Sequence, residues 1–300
     1  MVSECYLCGS QTSEFHIIPD KGFGNNDFGI FRCNHCQLLQ LSNPPENLDP
    51  YYVDYDPHSR YFFQLSPIKQ VFIRTMFFLY SHVSVLRFKE WIFGIFVTKR
   101  KGRILDYGCG SGVYMSMLDA KKWEKYSADM FDPDEAFKKY NKDINYTNIT
   151  KESLPDGISY DVIRMNHVLE HLKDPEKVLR NLSSKLKENG EIVIAVPNGD
   201  SIGYLKKKYG LWDAPRHLFW FNEKNLKQLI EKVGLKTVMV RKSSSTGLMY
   251  GMILQLDQRF HLLASFLSIL LSPLLYLCFG EADAIHLYAK KTDETLIKNG

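Results

Sequence analysis

Charge of one sign is what this 300-residue chain has little of: 38 basic residues against 34 acidic leave a formal net charge of +4. So small an excess gives no reason to expect a nucleic-acid partner. Cysteine is scarce too, six in all, and no apolar core of the kind an export signal needs occurs before residue 30. The expectation is a cytoplasmic protein whose thiols stay reduced. Charged residues are absent altogether from 260–279, which holds no Asp, Glu, Lys or Arg. By length that run is a transmembrane candidate. It joins two segments that read as neighbouring strands of one sheet, however, so both ends must lie on the same side of any membrane. Pro273 also divides it. An apolar helical hairpin over 248–279 is therefore expected. It packs as a lid, forms a dimer surface, or dips into one leaflet from the inner membrane face.

Aromatic residues are plentiful, with 19 Phe and 17 Tyr, and the chain can bury a sizeable core. The length allows one large domain, or one domain with attachments. The basic clusters Lys99-Arg100-Lys101 and Lys206-Lys207-Lys208 lie beside apolar or aromatic runs. Such clusters are either solvated faces or contacts for an anionic surface or substrate.

Four of the six cysteines form two pairs, Cys5-x-x-Cys8 and Cys33-x-x-Cys36. Two such knuckles match a tetrahedral Zn²⁺ site in which four thiolates close the shell, so a structural zinc ribbon is expected over 1–45. Two redox dithiols or unpaired thiols are the alternative. His16 and His35 are spare ligands that four cysteines make unnecessary. Cys109 and Cys278 read as small packed residues.

Residues 46–98 read as an aromatic linker followed by amphipathic helices, with apolar and basic positions at helical spacing over 67–98. These helices cover the body of the protein or lie on a membrane surface. From Arg103 the pattern becomes strand, helix, strand. Strands are expected at 103–108, 125–130, 144–149, 160–167, 190–196, 235–241 and 284–290, with helices near 112–121, 133–141, 174–188 and 222–233. Asp174-Pro175 and Asn222 are helix starts, and Gly190 and Gly234 helix stops. Alternation of this kind gives a doubly wound α/β sheet with ligands at the carboxyl ends of its strands.

The first of those strands runs into Asp106-Tyr-Gly-Cys-Gly-Ser-Gly112. A buried strand, a glycine turn and a helix start suit a ligand lying directly against backbone. The spacing departs from the dinucleotide fingerprint by one residue. It resembles the first motif of the class I S-adenosylmethionine-dependent methyltransferases. A second stretch, Asn166-His-Val-Leu-Glu-His171, is similar to the fourth strand and turn of many small-molecule members. The resemblance runs over roughly 100–291 and implies a Rossmann-like seven-stranded sheet, order 3-2-1-4-5-7-6, with the helical insertion before the last strand. It places 99–291 in the methyltransferase domain and leaves 292–300 as a tail.

S-adenosylmethionine is the implied cofactor. Asp129, about 20 residues past the glycines, is placed to accept both ribose hydroxyls, with Asp132 as the rival and a candidate helix cap. Asn148 and Ile149 are assigned to the adenine side. Gly108 and Gly110 pass under the methionine moiety, and Cys109, Gly112 and Met130 are further cofactor-binding candidates. Asp106 orders the loop and reaches the amino group through water, and Asn166 lies over the cofactor. Glu170 and His171 pair to fix their turn. His167 and His217 are the catalytic candidates. His217 sits in a Pro-x-His-x-x-x-Phe loop (215–221) as general base, acceptor-positioning group or plain loop anchor. Arg216 binds an acidic group of the acceptor or forms a surface ion pair.

The zinc ribbon, the Tyr51-Tyr52 segment and the closing 280–290 stretch make the chain similar to a bacterial branch near the ubiquinone-biosynthesis and zinc-ribbon sugar C-methyltransferases. That likeness implies O- or C-methylation of a small molecule, sugar or lipid-linked glycan in polysaccharide biosynthesis or secondary metabolism. The long C-terminal domain of the sugar enzymes is missing. A non-catalytic scaffold binding cofactor or partner is the competing reading. A nucleic-acid methyltransferase lacks support, since no Asn-Pro-Pro-Tyr motif is present.

Overall fold

A computed structural model describes residues 4–19, 27–52, 99, 101–116, 118–133, 135–201, 212–243 and 284–291. The expected amphipathic helices at 67–98, the hairpin at 248–279, the cluster at 206–208, Cys278 and the tail lie outside the described residues. Among the described residues, no helix is long and apolar enough to cross a membrane.

Two sheets organise the chain. The smaller comprises β1 (Thr12–Ile18), β2 (Phe28–Cys33) and β3 (Leu39–Leu41). Its fourth strand is β9 (Phe219–Trp220), which arrives from far along the chain and pairs antiparallel with β3. The cysteine-bearing segment is thus completed by the rest of the molecule.

The larger sheet has seven strands: β4 (Gly102–Tyr107), β5 (Trp123–Asp129), β6 (Ile144–Asn148), β7 (Tyr160–Asn166), β8 (Leu186–Pro197), β10 (Leu235–Ser243) and β11 (Ala284–Lys291). The spatial order is β6-β5-β4-β7-β8 parallel, then β11 and β10 antiparallel. Counted within this sheet, that is the expected 3-2-1-4-5-7-6. Central strands lie between covering layers and read as continuous apolar runs. Ile104, Leu105, Val162, Ile163 and Ile192 to Val196 are all buried.

Among the described residues, the helices are α1 (Val113–Ser116), α2 (Glu135–Tyr140), α3 (Pro175–Ser184) and α4 (Glu223–Lys232). Asp174 caps α3 by accepting from the Lys177 N–H at 3.0 Å. Asn222 and Asn225 close a reciprocal capping box on α4. Gly234 ends α4 at positive φ, as expected. Gly190 does not stop a helix. α3 ends at Ser184, and the chain passes directly into β8. Gly190 sits where the β7–β8 register shifts, and a Cβ there would lie 2.8 Å from the Lys187 carbonyl oxygen. The glycine serves a bulge, not a cap.

Candidate active site and cysteine centre

The glycine loop leaves the carboxyl end of β4, with Gly108, Gly110 and Gly112 all at positive φ. Only glycine meets that demand cheaply, and space adds a second one. A Cβ on Gly108 would lie 2.3 Å from Val168, and one on Gly112 2.4 Å from Phe137. Asp129 ends the neighbouring β5. Its Oδ2 accepts from the Gly110 N–H at 2.8 Å and its Oδ1 from the Met130 N–H at 2.7 Å. Burial pushes its pKa up, and those N–H donors pull it back. Asn148 pairs with Asp129 across the β5–β6 register, and the Ile149 N–H donates to the Asp129 carbonyl at 2.9 Å.

Several residues in this half have structural partners. The Asn148 amide donates to Asp132 at 2.8 Å, and its carbonyl accepts from the Thr150 N–H. Asp132 also bridges Lys151 at 2.6 Å. Burial, helped by the Asp106 and Asp129 carboxylates, pushes the Cys109 thiol up, which suits a packed residue. The exposed Met130 and Phe131 flank the loop. A backbone cradle, a carboxylate at the second strand's end and apolar side chains beside it fit an adenosyl ligand.

Asp106 is fully buried. Its Oδ1 takes a 2.6 Å bond from Arg164, and its Oδ2 has no hydrogen-bond partner among the described residues. Burial raises its pKa, and the guanidinium opposes that rise. Arg164 lies across the register from Asp106 and 4.1 Å over the Tyr114 ring. Arg164 was not among the expected site residues. Its signal was a lone cation inside an apolar strand.

The second half of the candidate site is built on the turn after β7. Asn166 and His167 end that strand, and Glu170 lies fully buried in a 3-10 turn, Leu169–His171. His167 Nδ1 faces Glu170 Oε1 at 3.1 Å, while Oε2 has no hydrogen-bond partner. Burial alone would raise the Glu170 pKa, but the hydrogen bond and charge of His167, with His171 and His217 nearby, hold it down to about 2. His217 comes from the loop before β9. Its ring meets that of His171 edge-on at 4.7 Å. His217 Nε2 faces Asp213 Oδ2 at 3.5 Å, and Nδ1 has no hydrogen-bond partner among the described residues. His171 Nδ1 lies 3.0 Å from the Arg216 carbonyl. Burial lowers both imidazoles to about 4. Arg216 forms an ion pair with Asp213.

Glu170 is thus more than a turn fastener. Its expected partner His171 is joined by His167 and His217, and ligand atoms of Glu170, His171 and His217 lie within 4.8 Å of one another. That donor set also suits a divalent cation. Asp213 and Tyr52 were not anticipated as site residues. The Tyr52 ring lies 5.8 Å from Phe131, and its hydroxyl is 3.4 Å from His171 Nδ1, so it spans both halves.

Cys5, Cys8, Cys33 and Cys36 converge. The sulfurs of Cys5 and Cys36 are 3.6 Å apart, those of Cys8 and Cys33 3.5 Å, and all four lie within 4.8 Å. A tetrahedral Zn²⁺ with bonds of about 2.3 Å has sulfur–sulfur edges of about 3.8 Å, so the residues fit the ion. The His35 and Cys36 N–H groups both donate to Cys33 Sγ at 3.3 Å. Gly9 follows the first knuckle at positive φ, and Gln37 takes that role in the second. Neither His16 nor His35 belongs to the cluster.

The chain is similar in sequence to known proteins. A family model described as a methyltransferase domain matches residues 85–240, just over half of the chain. The ubiquinone biosynthesis O-methyltransferase of Rickettsia conorii is 31% identical over 110 residues, covering 35% of this chain and 38% of that protein. The Rickettsia prowazekii protein of the same name is 27% identical over 150 residues, 47% of this chain and 56% of that one. The chain therefore spans about half or less of these relatives' length. A solved 1,6-didemethyltoxoflavin-N1-methyltransferase of Burkholderia thailandensis, with bound S-adenosylhomocysteine, aligns at 13% identity. It covers 87% of this chain and 98% of that one, with a TM-score of 0.44. By its family match and its 3-2-1-4-5-7-6 sheet, the chain belongs to the class I methyltransferase-domain family.

Proposed function

We propose that this protein transfers a methyl group from S-adenosylmethionine to an oxygen or acidic carbon of a small-molecule acceptor. One observation carries the reading: the turn at 166–171 touches both halves of the site. Val168 packs against Gly108 of the glycine loop, and two residues on, Glu170 lies beneath the His171–His217 pair.

The cofactor, when bound, supplies an activated methyl on its sulfonium. Asp129, Asn166 and the glycine loop hold it. His217 acts at Nδ1. With the proton on Nε2 facing Asp213, the Nδ1 lone pair accepts the acceptor's proton as its nucleophile forms. The ionised Glu170 steadies the imidazolium that results. His171, donating from Nδ1 to the Arg216 carbonyl, leaves Nε2 to orient the acceptor. Alignment on the methyl supplies much of the acceleration.

The relatives' names support a hydroxyl acceptor. A sugar or lipid-linked glycan remains within this class. The zinc centre is structural, since four protein ligands leave no open position. Residues 1–45 and 99–291 are its two units, joined through β9.

Calorimetry with S-adenosylhomocysteine is the first test. Micromolar binding is expected, weakened at least about 10-fold in Asp129→Ala by loss of a charge-assisted contact. No binding to folded, zinc-loaded protein would leave the scaffold reading. His217→Gln should lower kcat about 10²–10⁴-fold with that affinity unchanged. A divalent cation on Glu170, His171 and His217 is the second reading. A bound Mn²⁺ resonance that Glu170→Gln abolishes would support it.

A further inference from the structure

Gln40 lies in β3 and is buried. Its side-chain amide grips the chain on either side of Cys5. Its oxygen accepts from the Tyr6 N–H at 2.9 Å, and its Nε2 donates to the Glu4 carbonyl at 3.0 Å. The backbone of the same residue lies opposite Phe219 in the β3–β9 register. Next to it, the Leu41 N–H donates to the Leu218 carbonyl at 2.9 Å, and the Leu218 N–H donates to the Glu170 carbonyl at 2.8 Å. The Tyr6 ring meets that of Phe219 at 5.0 Å. A path of hydrogen bonds and intervening backbone thus runs from the first cysteine knuckle through β3 to Leu218, the neighbour of His217, and on to Glu170. None of these bonds involves the glycine loop or Asp129.

We propose that Gln40 is a positioning residue that ties the metal-loaded cysteine centre to the acceptor loop, so that loading fixes His217 against Glu170 while the cofactor half stands independently. The physical reason is local. A knuckle closed on a metal holds Glu4, Cys5 and Tyr6 in one geometry, and the Gln40 amide can satisfy both backbone partners only in that geometry. Strand β3 is then held in register for a two-residue strand, β9, too short to be stable alone. The importance of His217 rests on the function proposed above. The mechanical coupling does not.

The test is peptide-resolved amide hydrogen exchange on the full chain, with S-adenosylhomocysteine calorimetry beside it. Zinc-loaded wild type is compared with Cys36→Ser, which opens the centre, and Gln40→Met, which keeps all four ligands. Tyr6→Phe is the control. It removes the 2.6 Å bond from Tyr6 to Asp174 but keeps the ring on Phe219. Gln40→Met and Cys36→Ser should each speed exchange in peptides covering 212–221 by about tenfold or more, with Tyr6→Phe near wild type. Peptides covering 103–112 should stay protected, and the affinity should stay within about twofold of wild type. Wild-type exchange at 212–221 in Gln40→Met overturns the proposal. So does loss of protection at 103–112 along with it, because the centre would then hold the whole fold. If wild type itself fails to bind the nucleoside, the methyltransferase reading falls while the exchange comparison still decides this one.

Discussion

At the scale of single residues, burial decides which protonation state each group brings to the chemistry. His171 and His217 are neutral at pH 7 because burial holds both near 4. A general base must be neutral to accept a proton, so activity is present above that value and lost as pH falls through it. The log of kcat/KM should be flat from about pH 8 to pH 5.5 and turn down only near pH 4. An inflection near pH 6.5 would mean a solvated imidazole and remove His217 as the buried base. Asp106 shows the opposite balance, since burial pushes it toward the neutral acid. The Arg164 guanidinium at 2.6 Å opposes that push. Asp106, Asp129, the three glycines and His217 were picked out as candidates because their chemistry goes with a local pattern. Arg164, Asp213 and Tyr52 were not, since each matters only through a partner distant in sequence.

At the scale of elements, most of the architecture was written in local signals. Asp174-Pro175 and Asn222 start helices where capping chemistry says they should, and the continuous apolar runs became central strands. Gly190 misled because a glycine after a helical run signals a cap and a bulge equally. Only the β7 neighbour chose between them. The loop between β4 and α1 carries a sharper requirement. Gly112→Ala puts a methyl 2.4 Å from Phe137 and 2.8 Å from the Asn141 amide at a φ of +69°. This variant should lose about 2–4 kcal/mol of stability, read from denaturant midpoints, and most of its affinity for S-adenosylhomocysteine. A stable variant with wild-type affinity would mean that the loop relaxes at no cost.

At the scale of the molecule, buried histidines couple the fold to pH. His171 and His217 titrate near 4 and His286 near 3, all lowered first by burial. In the unfolded chain they titrate near 6.5, so below that pH the unfolded state binds more protons and stability falls as pH falls. Glu170, held near 2, acts in the same sense at lower pH. Asp106, Asp129 and Asp213, raised by burial, act oppositely and blunt the slope at its acid end. The guanidinium midpoint should be constant above about pH 7 and drop steadily between about pH 6.5 and 4.5. An unchanged midpoint over that window would contradict the burial of these imidazoles.

The sequence by itself determined the glycine turn with Asp129 beside it, the grouping of the four cysteines and the strand order expected of the large sheet. These rest on spacing along one stretch of chain, where glycine, an acid or a cysteine at a fixed interval has one economical use. The tertiary structure alone decided that β9 completes the cysteine-bearing sheet, and that Glu170 gathers three imidazoles. It also placed the Gln40 amide on the backbone of the first knuckle, in the strand that pairs with β9. Those are contacts between residues far apart in the chain, and no local period or propensity encodes them. They follow from which buried donors and acceptors remain to be satisfied once the two sheets have packed together.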